Sequence, residues 1–460
     1  MTDTGRRPNI LLIVSDDHGY ADRSSLGVRD DVSTPGLDRL AAEGTTCTNA
    51  YVTAPICSPS RAGLISGRYQ QRWGARWFND SSIGGVDHAT VAERLREVGY
   101  ATGYFGKVHY GDEGPGDRGT PPEHGFDESF YGLAGRSMGR LNYLHHSEQS
   151  VREYGEDGAH AMAVQPLYEG AEPVEHEGFL TAEIARRARA FIGDHAHEPF
   201  FAMVAFNAVH NFCWQLPAEE LERRGLPAFD DWHPGADEYI DWYDGAISPN
   251  LPNGREYYLA QLELMDAEIS AFLAQLDELG IGEDTLVIYT TDNGGSTCNY
   301  GVNAPLTGTK YTLWEGGIRV PFLMRQPGSV ASGAVVDGLV SSMDILPTAL
   351  AAAGAPVGDD DTDGRDLFGS DGRHDVLHWD CGWQWAVREG DWKLRWVDAT
   401  SPVGAEIQRV EHTDAGSGLW LVNLADDPGE RRNLASDRPD LVERLSAHHE
   451  SWCADMKPAG

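Results

Sequence analysis

Behind Asn9 the chain runs through five consecutive apolar residues, Ile10 to Val14, most of them β-branched. Only a strand covered on both sides dispenses with polar alternation, so Asn9 to Val14 reads as a strand buried on both faces of a parallel sheet. Thr34-Pro35 follows, then Leu37, Leu40 and Ala41, then Gly44: a capped helix with proline in its first turn. Thr90 and Glu93 form a capping-box pattern and Gly99 closes that helix, after which Tyr100 to Phe105 reads as a second strand. Ala182 to Ile192 has helical spacing, Phe200 to Phe206 is a third strand, and Glu256 to Leu279 carries apolar residues at Leu259, Leu262, Ile269, Leu273 and Leu276. Thr285 to Thr290 is a fourth strand. Strands alternating with helices predict a doubly wound, mostly parallel α/β sheet with helices on both faces.

Near residue 355 the composition shifts. Asp359, Asp360, Asp361 and Asp363 precede Gly364, and this acidic stretch reads as a solvated linker. It resembles the opening of a calcium loop, but the twelfth position is Ser370 where a bidentate glutamate is needed. Beyond it Val376 to His378, Trp385 to Arg388, Trp392 to Trp396 and Leu419 to Asn423 are short strand candidates, with a final helix around Leu441 to Ser451. The pattern divides the chain into a domain over 1–355 and, over 356–460, a linker with a small C-terminal α+β subdomain. Trp383, Trp385, Trp392 and Trp396 are expected to pack on that sheet.

Charge narrows the partners. The 460 residues hold 36 basic against 72 acidic groups, a net charge of −36, which argues against nucleic acid and anionic membranes. A small anionic substrate stays possible where cations are gathered locally. Four of the basic residues are lysines (Lys107, Lys310, Lys393, Lys457), so a lysine kept in a polar motif stands out. The six cysteines form no CxxC pair, which disfavours a structural zinc site, and Cys47, Cys213, Cys298, Cys381 and Cys453 are expected as free buried thiols. There is no membrane-spanning run, and Ile10 to Val14 is too short for a signal-peptide core, so the expected location is the cytoplasm. Oligomeric state is not legible.

In open α/β sheets ligands bind outside the carboxyl ends of the strands. The four predicted strands end in Asp16-Asp17, in Lys107-Val108-His109, in Asn207 with His210 three residues on, and in Asp292-Asn293. Three carboxylates and an amide oxygen suit a hard divalent cation such as Ca²⁺ or Mg²⁺, and the lysine and histidines would face an anion bound to it. In Cys57-Ser58-Pro59-Ser60-Arg61, Ser58 can cap a helix with Pro59 at its first position and Leu64 and Ile65 on its buried side. Cys57 then sits at a helix N-terminus, where it is either a low-pKa nucleophile or a buried structural thiol.

Cys57-x-Pro59-x-Arg61 followed by Ala62-Gly63-Leu64-Ile65-Ser66-Gly67-Arg68-Tyr69 resembles the signature of the type I, formylglycine-dependent sulfatases of the alkaline phosphatase superfamily. So do Pro8-Asn9-Ile10-Leu11 with Asp16-Asp17, Gly106-Lys107-Val108-His109, His124-Gly125-Phe126-Asp127, Pro199-Phe200-Phe201, Thr291-Asp292-Asn293-Gly294, and Lys310 ahead of Glu315-Gly316-Gly317-Ile318-Arg319-Val320-Pro321. The resemblance implies an alkaline-phosphatase-like fold. It further implies that a maturation enzyme converts Cys57 to Cα-formylglycine, whose hydrate attacks a sulfate ester and passes through a sulfated enzyme intermediate. Asp16, Asp17, Asp292, Asn293 and the modified Cys57 would hold Ca²⁺. Arg61 and Lys107 would position the hydrate, His109 would take the proton that expels sulfate, and His210 and Lys310 would bind sulfate and assist the leaving alcohol. Val108, Val209 and Asn211 depart from common family residues and bear on substrate fit. The sulfated substrate would be a carbohydrate or an aryl alcohol.

Other readings compete. A formylglycine-dependent phosphonate or phosphodiester hydrolase would share the motif. Gly135-x-Ser137-x-Gly139 matches a serine-hydrolase elbow but lacks a clear strand before it and helix after it. A non-enzymatic binding protein would need a missing ligand or cation, and none is missing. His145-His146 reads as a loop pair rather than a metal site.

Overall fold

The predicted first strand is covered on both sides. The computed structural model describes residues 7–77, 82–84, 88–110, 114–133, 143–144, 151–152, 155–156, 166–229, 250–358, 362–369, 373–398, 400–414 and 416–456. Gly135, Ser137, Gly139, His145, His146, Asp359 to Asp361, Ser370 and Lys457 lie outside them. In β1 (Asn9–Ser15) successive side chains point to opposite faces. Leu11 and Ile13 enter one core with Leu180, Ile184, Ala188 and Ile192; Ile10, Leu12 and Val14 enter another with Ala62, Leu64 and Ile65. A polar residue on either side of β1 would be buried, which is why the run tolerates none.

The main sheet has ten strands: β1, β2 (Thr45–Tyr51), β3 (Ala101–Val108), β4 (Glu128–Leu133), β5 (Leu167–Glu169), β6 (Glu172–Val174), β7 (Phe200–Ala205), β8 (Thr285–Thr291), β9 (Phe322–Arg325) and β10 (Ala334–Ser341). Their spatial order is β10-β2-β9-β8-β1-β7-β3-β4-β5-β6. The centre, β8 to β4, is parallel; β9 runs against both its neighbours, and the β5–β6 hairpin closes the far edge antiparallel. Among the helices, α1 (Pro35–Glu43), α2 (Cys57–Ser66), α3 (Val91–Glu97), α4 (Leu180–Asp194) and α5 (Gly254–Glu278) flank the sheet. The capping box is present: Thr90 N donates to Glu93 Oε2 at 2.8 Å and Glu93 N to Thr90 Oγ1 at 3.3 Å.

Register sets up the site. Val14 pairs with Ala205 of β7 and Thr290 of β8, and Ser15 pairs with Thr291. Three strands therefore end level, and the residues that follow emerge side by side.

Four strands, β11 (Val376–Asp380), β12 (Gln384–Glu389), β13 (Trp392–Val397) and β14 (Gly418–Asn423), form a separate antiparallel meander. Val387, Leu394 and Leu421 pack under α6 (Pro439–Asp455), while Trp379, Ala386 and Val397 pack on Tyr51, Leu313, Ile318 and Val320 of the main body. No described helix is long and apolar enough to cross a membrane.

The local reading of α2 needs correction. The helix begins at Cys57 with Ile56 as its cap residue, so Ser58 lies inside it and does not cap it. All ten residues of α2 are buried, so Leu64 and Ile65 mark no single buried side.

Candidate active site

The predicted residues meet at the carboxyl end of the central strands. Asp16 and Asp17 follow β1, Asp292 and Asn293 follow β8, Lys107 lies within β3 with His109 just past it, and His210 lies beyond β7. Cys57 and Arg61 come from the first turns of α2, and Lys310 from the loop before Glu315. All ten are buried, with His109 the most exposed at 5%. Asp17 sits at φ 57°, a left-handed bend that turns the chain as it leaves β1.

Three cations interlock with three carboxylates. Lys107 Nζ donates to Asp16 Oδ2, Arg61 Nε to Asp292 Oδ2 at 2.7 Å, and Lys310 Nζ to Asp17 at 2.8 Å. Arg61 Nη2 also lies 3.6 Å from Asp16 Oδ2. Asp17 N donates to Asp292 Oδ1 at 3.2 Å, and Asn293 Nδ2 donates to Asp17 Oδ1 at 2.6 Å. Cys57 Sγ stands 3.7 Å from Asp16 Oδ1 and 3.9 Å from Asp17 Oδ1. His210 Nε2 lies 3.2 Å from Lys310 Nζ and 3.6 Å from Asp17 Oδ2. Ligand atoms of Asp16, Asp17, Cys57 and His210 all fall within 4.8 Å of one another.

Burial and neighbouring charge compete at every group. Burial pushes Asp16 up, but Lys107, Arg61 and Lys310 together hold it below its ordinary value. Burial pushes Asp17 up to about 7 against the pull of Lys310. Burial, then Lys107, Arg61 and Lys310, keeps His109 far below its usual range; burial, then Lys310 and Lys107, does the same to His210. Both imidazoles are neutral at neutral pH. Burial raises the Cys57 thiol well above its ordinary value despite Lys107 and Lys310. The low-pKa thiolate suggested by the helix start is therefore overturned: desolvation outweighs the helix N-terminus.

A hard cation fits this donor set. Asp16, Asp17, Asp292 and Asn293 offer oxygens from two adjacent strands, and Asn293 Oδ1 is buried with no hydrogen-bond donor among the described residues. Asp17, which resists ionising when held by Lys310 alone, gains a reason to stay charged. His210 enters the cluster although its residue type was not expected there; its Nε2 accepts from Lys310, which makes it a neighbour of the oxygen set.

Sequence reasoning missed the brace around the site. Asn299 Nδ2 donates to Asp17 O at 3.1 Å and to Val209 O at 2.6 Å, joining the Asp17 and His210 loops. Glu411, from a C-terminal helix, accepts from Ser296 Oγ at 2.6 Å and Thr297 N at 2.7 Å. The Ser296–Asn299 capping box was a readable signal for the first of these; nothing local marks the second, which is made by residues 115 apart.

Comparison with known proteins gives the family. A family model described as Sulfatase matches residues 8–355. Arylsulfatase J of Mus musculus is 30% identical over 486 residues, spanning 95% of this chain and 74% of its own. Arylsulfatase A of Homo sapiens is 32% identical over 478 residues, spanning 96% and 86%. The crystal structure of Ps i-CgsB in complex with k-i-k-neocarrahexaose superposes with a TM-score of 0.77 at 26% identity, covering 97% of this chain and 93% of that one.

Proposed function

The chain belongs to the sulfatase family and hydrolyses sulfate esters, and on that premise we propose that Cys57, Arg61, Lys107, His109, His210 and Lys310 carry out the reaction on a carbohydrate or aryl sulfate. The observation that carries this reading is the convergence of three buried cations and three buried carboxylates on the side chain of residue 57. Three further points support it. The Cys57 thiol is protonated and its helix start lies inside the sulfatase motif. Two relatives are named arylsulfatases, and one solved relative is in complex with k-i-k-neocarrahexaose.

A Cα-formylglycine made from Cys57 by a maturation enzyme would supply a hydrated aldehyde as nucleophile. Ca²⁺ held by Asp16, Asp17, Asp292 and Asn293 would supply fixed positive charge where sulfate oxygens gain negative charge.

The chain's own groups then divide the work. Arg61 Nη1 donates to nothing among the described residues, so it is available to hold an oxygen on residue 57. Lys107, fully buried against Asp16, holds its charge on the same side. His109 Nδ1 accepts no hydrogen bond among the described residues and the ring is neutral, which supports it as the base that takes a proton. A lysine ammonium only donates, so the 3.2 Å contact makes His210 Nε2 the acceptor. Lys310 therefore carries the proton of this pair toward the leaving oxygen, and His210 orients it.

The test has two parts. Peptide mass spectrometry on protein made with a formylglycine-generating enzyme should show the aldehyde at position 57, and Cys57→Ala should lose turnover of aryl sulfate while keeping its melting temperature. A fully active thiol form, or faster turnover of an aryl phosphodiester than of the aryl sulfate, would overturn the reading. Metal analysis should find one Ca²⁺ per chain, lost on chelation together with activity; zinc in its place would count against the oxygen set.

A further inference from the structure

Arg23 is 4% exposed, seven residues beyond Asp16, and it has no salt bridge among the described residues. Among the described residues no acceptor stands within hydrogen-bond reach of its Nε or Nη1. Four other buried cations meet anions: Arg61, Lys107 and Lys310 each an aspartate, and Lys393 two glutamates. A guanidinium buried without an anion is among the costliest arrangements a fold can hold. Burial pulls the Arg23 pKa down, and Asp38, the carboxylate that acts on it, is engaged by Ser24 Oγ at 2.6 Å and Ser25 N at 2.8 Å.

Arg23 lines a cavity of about 230 Å³, mouth included, with Thr46, Cys47 and Thr48 of β2 and with Val320 on its walls. No wall residue is acidic. In a chain of net charge −36, a pocket with one cation and no carboxylate stands apart from the surface around it. Burial pushes the Cys47 thiol up to about 11, so it remains an S–H group and adds no negative charge. The enclosed part has room for about one water-sized body, so a single-atom anion would extend into the mouth and a tetrahedral oxyanion such as sulfate is too large.

We propose that this cavity is a halide site in which Arg23 binds chloride. The ion would brace the loop leaving β1. Arg23 follows Asp22, whose carboxylate accepts from Tyr258 Oη, Val302 N and Arg255 Nη2, each at 2.7 Å. His18 Nε2 in turn lies 2.6 Å from Asp22 O, one residue past the carboxylate pair.

Crystals of the full chain soaked in bromide should show an anomalous peak within hydrogen-bond reach of Arg23, and the peak should vanish in Arg23→Gln. In solution, the chloride-35 line should broaden with the wild-type protein, and Arg23→Gln should remove most of that excess width. Chloride in place of gluconate at equal ionic strength should raise Tm by about 1–2 °C at tenfold saturation, and Arg23→Gln should lose the difference. Because the bromide experiment needs only the wild-type chain, it stands even where the variant folds poorly. Water rather than bromide at Arg23, or equal line broadening by wild type and variant, overturns the proposal.

Discussion

Lys310 and His210 form a pair in which only one partner has a proton to give. Their 3.2 Å contact sets the imidazole as acceptor, and Asp17 2.8 Å from the ammonium keeps the lysine charged. Losing the donor should matter most when the departing alcohol is a poor leaving group. Lys310→Met is expected to slow a sugar sulfate by roughly 10²–10⁴-fold and an activated aryl sulfate far less, with His210→Ala following the same ranking more weakly. The task proposed for His109 is different. Its Nδ1, without a partner among the described residues, predicts that His109→Ala releases one equivalent of alcohol in a rapid burst and then turns over slowly. Stopped-flow measurement on both substrates separates these behaviours; equal losses on both substrates for all three variants, with no burst, would mean the division of labour is wrong.

At the level of elements, the glycine before Lys107 fixes where β3 can deliver its lysine. Gly106 has φ +124°, and a Cβ there would run into the carbonyl oxygen of Ala205 on β7, its register partner. Gly106→Ala should therefore lower stability by about 2–4 kcal/mol in urea unfolding and displace Lys107 from Asp16; a loss under about 0.5 kcal/mol would show that the strands can part. The same strands show what could be read in advance. β1, β7 and β8 were legible because burial on both faces leaves an unbroken apolar run, and β3 because it follows the glycine that closes the helix before it. Thr45–Tyr51 was not, since Thr-Thr-Cys-Thr-Asn-Ala-Tyr has little apolar pattern and is held by pairing with β10 and β9. The other site residues were legible because they are strand ends and a helix start, places where sequence position implies spatial position; Lys310, in a loop, was legible only through the family resemblance. Asn299 and Glu411 were not: their partners are remote in sequence, and only the folded loop brings them to Asp17 and Ser296.

For the whole molecule, the C-terminal meander is tied to the reaction centre through charge as well as packing. Lys393 of β13 bridges Glu315 at 2.9 Å and Glu430 at 3.0 Å, and Glu315 begins the turn whose Gly317 carbonyl accepts from Gly294 N at 3.0 Å, directly after Asn293. The other face of the meander is where acid should act first. His378 stacks on Trp452 at 5.0 Å and His449 on Trp385 at 4.5 Å, between the sheet and α6. Burial, with repulsion from His449 and His448, lowers His378 from 6.5 to about 3, and burial lowers His449 to about 4 despite Asp380. Unfolded, both rings take protons near their ordinary pKa of about 6.5. Below that pH the unfolded chain binds protons that the native one refuses, so stability falls as pH drops from 6.5 towards 4. Above 6.5 the two rings add no slope. At about 1.4 kcal/mol per unit of pKa difference, the loss by pH 4 is on the order of several kcal/mol. Urea midpoints measured at pH 7, 5.5 and 4.5 should decline in the wild type, and the decline should flatten in the His378→Phe, His449→Phe double variant. An unchanged acid slope in that variant would place the sensitivity elsewhere, in the other buried rings, His109, His210 and His124, or among the carboxylates that outnumber basic groups 72 to 36.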